Sequence, residues 1–301
     1  LSAKEIIANE SQERMGLLIR EEAIEHVKQI AERERAPMYV VGETTGDARF
    51  AFEQKEIAVR SHSMNKDVLV TVITPEGYST QQSYPVIYLL HGHGGNHTVW
   101  TKDGAVGQLA DQYNLIVVMP DGARDSWYFD SPVTPEYRYE TFVAKELVAH
   151  IDTAYSTIAD RACRAITGLS MGGHGAFYLA MRHQDTFGNM GSMSGGLDFR
   201  PFTKNWNIAG RLGTYEENTQ LWDENTVINL THLLKPGAMN IIFDCGTEDF
   251  FYKVNCNMHE KLLQENIPHE FHSRPGAHNW PYWLNAVKYQ FLFFADRFPK
   301  R

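Results

Sequence analysis

The sequence is short of several things that would narrow its function at once. It holds only three cysteines, Cys163, Cys245 and Cys256, in 301 residues. An odd number cannot all pair within one chain, and no CxxC occurs, which argues against a disulfide framework or a zinc knuckle. Buried free thiols are the expectation, with a Cys245–Cys256 bridge as the alternative in an exported protein. No run of 18 apolar residues occurs, so no membrane span is expected. Basic residues are in deficit. Lys and Arg number 28 against 37 Asp and Glu, for a net charge of −9. That is the wrong sign for a dedicated nucleic-acid binder. The 23 glycines and 12 prolines follow no period, which excludes collagen-like sequence, and there is no internal repeat or low-complexity segment. The first residue is Leu, and no charged-then-apolar leader follows. The compartment is therefore left open between cytoplasmic and exported with a leader removed.

What is present is an ordinary folded composition, 43% apolar and 22% charged, too aromatic for a disordered chain. The length suits one large α/β domain or two small ones. The first 50 residues differ in texture from the rest. From Ser11 to Arg35 Glu and Arg dominate, with Met15, Ile19, Ala23, Val27, Ile30 and Ala31 at helical spacing on one narrow stripe. Pro37 ends that helix, and MYVVG (38–42) reads as a short strand. We expect an N-terminal helical extension over 1–50 and a main α/β domain over 51–301. The extension either docks on the main domain or serves as an anchoring or homo-oligomerisation arm.

After Phe50 strands and helices alternate. EIAVRSHS and KDVLVTVITP read as an opening antiparallel pair. PVIYLLHG (85–92) and LIVVMPDG (115–122) are continuous apolar runs ending in glycine turns, as in parallel strands covered on both faces. A helix is predicted over 142–155, a strand over 162–170 and a helix over 171–183. Another strand, NMGSMSG, is followed by a less regular stretch from Leu197 to Leu233. NIIFDCG (240–246) is predicted as a strand, VNCNMHEKLLQEN as a helix, HEFHSRPG as the last strand and 279–298 as a closing aromatic helix. The pattern predicts an α/β fold with a mostly parallel central sheet and helices on both faces.

The motif GLSMGG (168–173) has the form G-x-S-x-G and lies between a predicted strand and a predicted helix, the context such a nucleophile turn requires. A sharp turn there lifts the Ser170 hydroxyl out of the sheet, and Gly168 and Gly172 lack side chains because backbone packs on backbone. A serine hydroxyl needs a base. Of 13 histidines, His278 lies between the last strand and the last helix, where the base of such a chain order belongs. His269 and His272 fall on the preceding strand, His259 in mid-helix and His174 in the helix after the serine. The acid should follow the preceding strand. Asp249, beyond the Gly246 turn, is preferred to Asp244 within the strand, with Glu248 a third candidate. An oxyanion hole needs two backbone N–H groups. Met171 is one, and His93 in HGHGGN (91–96) is the choice for the other, with Gly94 as its rival. A metal site on His91 and His93 is the competing reading of that loop, but two histidines at i, i+2 have no third ligand nearby.

These residues together resemble a known family. YLLHGHGGN…W, MPDG, TIADR…ITGLSMGGHGA, GTEDF and PGAHNWPYW are similar to the esterase D-like α/β-hydrolases. That group includes tributyrin, feruloyl and acetyl-xylan esterases, S-formylglutathione hydrolases and mycolyltransferases. The resemblance covers about residues 52–298. It implies an α/β-hydrolase fold, Ser170 as nucleophile, Asp249 and His278 as its partners, and His93 and Met171 at the oxyanion hole. The HGHGG loop differs from the cysteine-containing loop usual in S-formylglutathione hydrolases, which favours the tributyrin and carbohydrate-ester members.

The expected chemistry is serine carboxylic-ester hydrolysis through an acyl-enzyme, with no metal or cofactor. Short-chain or carbohydrate-linked acetyl and feruloyl-type esters are the expected substrates, and no nucleic-acid partner and no membrane span are expected. Acyl transfer of the mycolyltransferase type, S-formylglutathione hydrolysis, and a binding or scaffold role with a relic site are the alternatives. Trp127, after the MPDG strand end, and Trp280 are expected at the substrate, whereas Tyr282 and Trp283 read as core. The absence of a long lid insertion points to a small or soluble ester.

Overall fold

The computed structural model describes residues 6–9, 14–17, 24–33, 53–102 and 104–299. The chain divides into two compact units, 1–49 and 50–301. In the first, strands β1 (Ile6–Asn9) and β2 (Arg14–Leu17) pair antiparallel, and helix α1 spans Ile24–Arg33. The helix expected from Ser11 is thus shorter at its start. Gly16 weakens a helix at that point, and the β-branched Ile6 and Ile7 provide a strand for Arg14–Leu17 to pair with. The strand expected at 38–42 lies outside the described residues.

The second unit is built on an eight-stranded sheet. Its strands are β3 (Glu53–Ser61), β4 (Lys66–Thr74), β5 (Val86–Leu90), β6 (Ile116–Pro120), β7 (Arg164–Gly168), β8 (Asn189–Met193), β9 (Asn240–Gly246) and β10 (Glu270–Arg274). They lie in the order β10-β9-β8-β7-β5-β6-β4-β3. β4 pairs antiparallel with both its neighbours, and every other pairing is parallel. Strand order reverses direction at β5, so crossovers run outward to both sides of it. Such switch points leave a crevice at the carboxyl ends of the strands.

Helices cover both faces. Along β5, Val86, Tyr88 and Leu90 belong to one apolar layer, and Ile87 and Leu89 to the other. The first layer meets α5 (Met171–Arg182) and α8 (Tyr252–Gln264), along with the helical run α3 (Tyr139–Thr141), a π-helical stretch Phe142–Leu147 and α4 (Val148–Ala154). The second meets α2 (Ala105–Tyr113) and α9 (Trp280–Arg297) through Leu109, Val287, Phe291 and Phe294. Asn279 caps the start of α9 by accepting from the Tyr282 N–H at 3.2 Å, a start signal of the usual kind. The irregular stretch predicted after Leu197 holds two short helices, α6 (Ala209–Leu212) and α7 (Thr219–Asn225). Cys245 is buried, Cys256 half-buried, and both are free thiols. Among the described residues no helix is long and apolar enough to cross a membrane.

Asp244, the rival acid, is wholly buried on β9. Its Oδ2 accepts from Gln290 Nε2 at 2.9 Å, and Gln290 Oε1 accepts from the Thr167 hydroxyl at 3.0 Å. The network ties β9, α9 and β7 together. Burial pushes the Asp244 carboxyl up to about 6, against the opposing Gln290 hydrogen bond and the Arg274 charge. In the unfolded chain it titrates near 3.8. The folded state therefore holds this proton more tightly. The resulting stabilisation is fully present below the unfolded value and is lost as pH rises through the folded one. Urea denaturation across this range should show stability falling with pH, and Asp244→Asn should remove that component. An identical pH slope in the variant would contradict this account.

Candidate active site

Ser170 stands between β7 and α5 with φ 55° and ψ −117°, a backbone conformation costing about 1–3 kcal/mol for a residue other than glycine. Surrounding backbone holds it there. The Ser170 N–H donates to Met193 O at 2.9 Å, and Ser170 O accepts the His174 N–H at 3.0 Å, opening the helix. A Cβ on Gly168 would lie 2.7 Å from the backbone of both Gly172 and Leu90, and one on Gly172 would lie 2.6 Å from the carbonyls of Leu90 and His91. The first turn of α5 thus sits directly on the end of β5, and only glycine permits it.

The loops after β9 and β10 meet beside this turn. The Thr247 N–H donates to Arg274 O at 2.9 Å and the Glu248 N–H to Gly276 O at 2.9 Å. Asp249 follows on one loop and His278 on the other. Asp249 Oδ2 accepts from His278 Nδ1 at 2.8 Å, and His278 Nε2 lies 2.9 Å from Ser170 Oγ. Asp249 Oδ1 accepts the Phe251 N–H at 2.8 Å, which fixes the carboxylate. The Asp249 side chain is fully buried, while that of His278 remains slightly open. Three residues separated by up to 108 positions are thereby brought into one hydrogen-bonded chain. Asp244 and Glu248 do not take part in it.

The HGHGG loop runs past Ser170. A Cβ on Gly92 would lie 3.3 Å from Ser170 Cβ. The Gly94 N–H is committed to Arg124 O at 2.7 Å, which removes it as a rival oxyanion donor. Met171 is the first residue of α5, where an N–H has no partner within the helix. The His93 ring is half-buried, and burial, aided by the Arg124 charge, holds its imidazole below the ordinary 6.5. His91 is occupied on both sides, with Nδ1 donating to Gly92 O and Nε2 accepting the Gly122 N–H, each at 2.7 Å. It braces the loop and has no nitrogen to spare for a metal. Among the described residues no group of three or more His, Cys, Asp and Glu side chains is arranged to hold one.

The aromatic residues fall differently from expectation. Trp127 is 1% exposed and cannot wall a pocket. It and Tyr128 both have left-handed φ, 52° and 62°, which turns the indole inward onto His174 and Phe199 at 5.3 and 5.6 Å. Burial holds the His174 imidazole down to about 4, so it is a neutral core group. Trp280 is 37% exposed, edge-on to Trp100 and Trp283, and Trp283 stands between it and His278. Tyr282 and Trp283 are buried, in line with the core reading. The ring nearest that of His278 is instead Phe250, at 4.3 Å, and Trp206 lies nearly parallel to Phe250 at 5.5 Å and 22°. Phe250 was legible as the neighbour of Asp249 in GTEDFF. Trp206 lies in an irregular segment whose path no periodicity reveals.

Residues 61–293 match the family described as putative esterases. An acetyl esterase of Caldicellulosiruptor saccharolyticus is 26% identical over 228 residues, 71% of this chain and 84% of that protein. An esterase of Mycobacterium tuberculosis is 30% identical over 238 residues, 69% of this chain and 52% of its own length. Among solved structures, a ferulic acid esterase superposes with a TM-score of 0.73 at 27% identity, covering 83% of this chain and all of the other. The sheet order, the strand–turn–helix at Ser170 and these similarities agree, and the chain belongs to the putative esterase family, as a serine esterase of the α/β-hydrolase fold.

Proposed function

We propose that Ser170, His278 and Asp249 form the catalytic triad, acting on acetyl or feruloyl-type esters of small or saccharide alcohols. The observation that carries this is the unbroken chain from Ser170 Oγ through His278 to Asp249, at 2.9 and 2.8 Å. Ser170 attacks the ester carbonyl as His278 Nε2 takes its proton. The oxyanion points to the N–H groups of Met171 and His93. The C–O bond to the alcohol then breaks, and His278 returns the proton to the departing oxygen, leaving the acyl group on Ser170. Water repeats the sequence and frees the acid. Asp249 holds the His278 tautomer and stabilises the imidazolium. Support for the acyl groups comes from the proteins this chain resembles, which bear the names acetyl esterase and ferulic acid esterase.

Ser170→Ala should abolish p-nitrophenyl acetate hydrolysis and fluorophosphonate labelling while leaving the circular dichroism spectrum unchanged. Full activity in that variant would end this reading. Asp249→Asn keeps the shape but offers the wrong partner to the imidazole, and should lower kcat by about 10⁴-fold. A loss under tenfold in steady-state assays would remove Asp249 from the triad.

A further inference from the structure

The loop carrying Trp206 is built with unusual effort for a surface turn. Trp206 and Asn207 both adopt left-handed φ, 49° and 53°, and neither is glycine. Two side chains from the loop after β6 hold them. Asp125 Oδ2 accepts from Asn207 Nδ2 at 2.7 Å, and the Trp127 indole N–H donates to Trp206 O at 3.2 Å. Asp125 is fixed in turn by Arg211, whose Nη2 donates to Oδ1 at 2.8 Å. The buried Phe251 supports the Trp206 ring from below at 5.1 Å. The outcome is an indole held nearly parallel to Phe250, a ring that stays 50% exposed although it adjoins His278. Rigid, wet aromatic faces beside an active-site base are suited to stacking a ligand.

Which part of the substrate they meet follows from the chemistry. His278 must reach the departing oxygen to protonate it, so the alcohol half of the ester lies on the His278 side of Ser170. The carbonyl oxygen faces Met171. Phe250 packs against His278 and Trp206 packs against Phe250, so the pair extends from the histidine on the side of the alcohol. We propose that they are the leaving-group platform and that the alcohol they select is a sugar ring, stacked by its C–H face on the aromatic surface. The platform opens to solvent rather than into a closed cavity, which leaves room for the remainder of a saccharide. Lys204, Asn205 and Asn207 are exposed on the same turn, where polar groups can meet sugar hydroxyls. The inference rests on the Ser170–His278–Asp249 triad.

The test compares two esters of one acid that differ only in the alcohol: ethyl acetate against a monoacetylated xyloside, and methyl ferulate against the feruloyl ester of arabinose. For each pair the readout is the ratio of kcat/KM for the sugar ester to that for the alkyl ester. Trp206→Ala and Phe250→Ala should each lower this ratio by about tenfold, the scale of one lost aromatic stacking contact. Trp206→Phe should restore much of it. A ratio that stays at the wild-type value, with both esters slowed alike or neither slowed, overturns the proposal and leaves the rings as supports for His278. Because Phe250 is half in solvent, its variant tests the idea even if Trp206→Ala fails to fold. Wild-type protein that takes up no fluorophosphonate at Ser170 would defeat the triad itself, a result separate from an unchanged ratio.

Discussion

The rest of this structure depends on how closely a helix end approaches a strand end. The first turn of α5 rests on the backbone of β5 with no side chain between them, at Gly168 and Gly172. That contact forces Ser170 into its left-handed conformation and turns its hydroxyl away from the sheet. It also brings Gly92 beside Ser170. A packed interior of this density does not yield by fractions of an ångström. The strain at one residue is therefore spread over two apolar layers, and the serine has little freedom to relax.

Around that fixed point the site is assembled from loops that leave the carboxyl ends of the strands. Each loop is braced by a different device. His91 ties the HGHGG loop to Gly122 through Nε2, while its Nδ1 donates to Gly92 O within the loop. Asp125 and Trp127 tie the loop after β6 to the Trp206 turn. Trp127, whose position after MPDG suggested a substrate wall, thus acts at one remove, through the residue its indole holds. Uncharged buried groups such as His174 fill the space behind, where a charge would be costly to desolvate.

Much of this was legible in the chain. Continuous apolar runs such as VIYLL and IVVMP announce strands covered on both faces, and both are. The G-x-S-x-G turn, the post-strand aspartate and the PGAHNW histidine were readable because their chemistry demands particular residue types at particular places in a β-α alternation. Three kinds of information were not. Left-handed turns at Trp127 and Tyr128 reverse the direction of a side chain without any sequence signature, since neither is glycine or asparagine. The Trp206 turn gains its geometry from partners some 80 residues away. The Ser11–Arg35 segment carries helical spacing throughout, yet the pairing of Arg14–Leu17 with Ile6–Asn9 prevails at its start, because tertiary pairing overrides a weak local preference.

The two backbone hydrogen bonds that join the loops after β9 and β10 have a consequence for how this site can change. Thr247 and Glu248 donate to Arg274 and Gly276, and these bonds end one residue before Asp249 and two before His278. Asp249 and His278 are therefore carried by a single stitched edge rather than by two independent arms. Neither loop can gain or lose a residue alone without sliding carboxylate and imidazole past one another. Insertions that enlarge the substrate cleft must enter elsewhere, and the stretch between β8 and β9, which carries Trp206 and touches neither stitch, is where the fold leaves room for them.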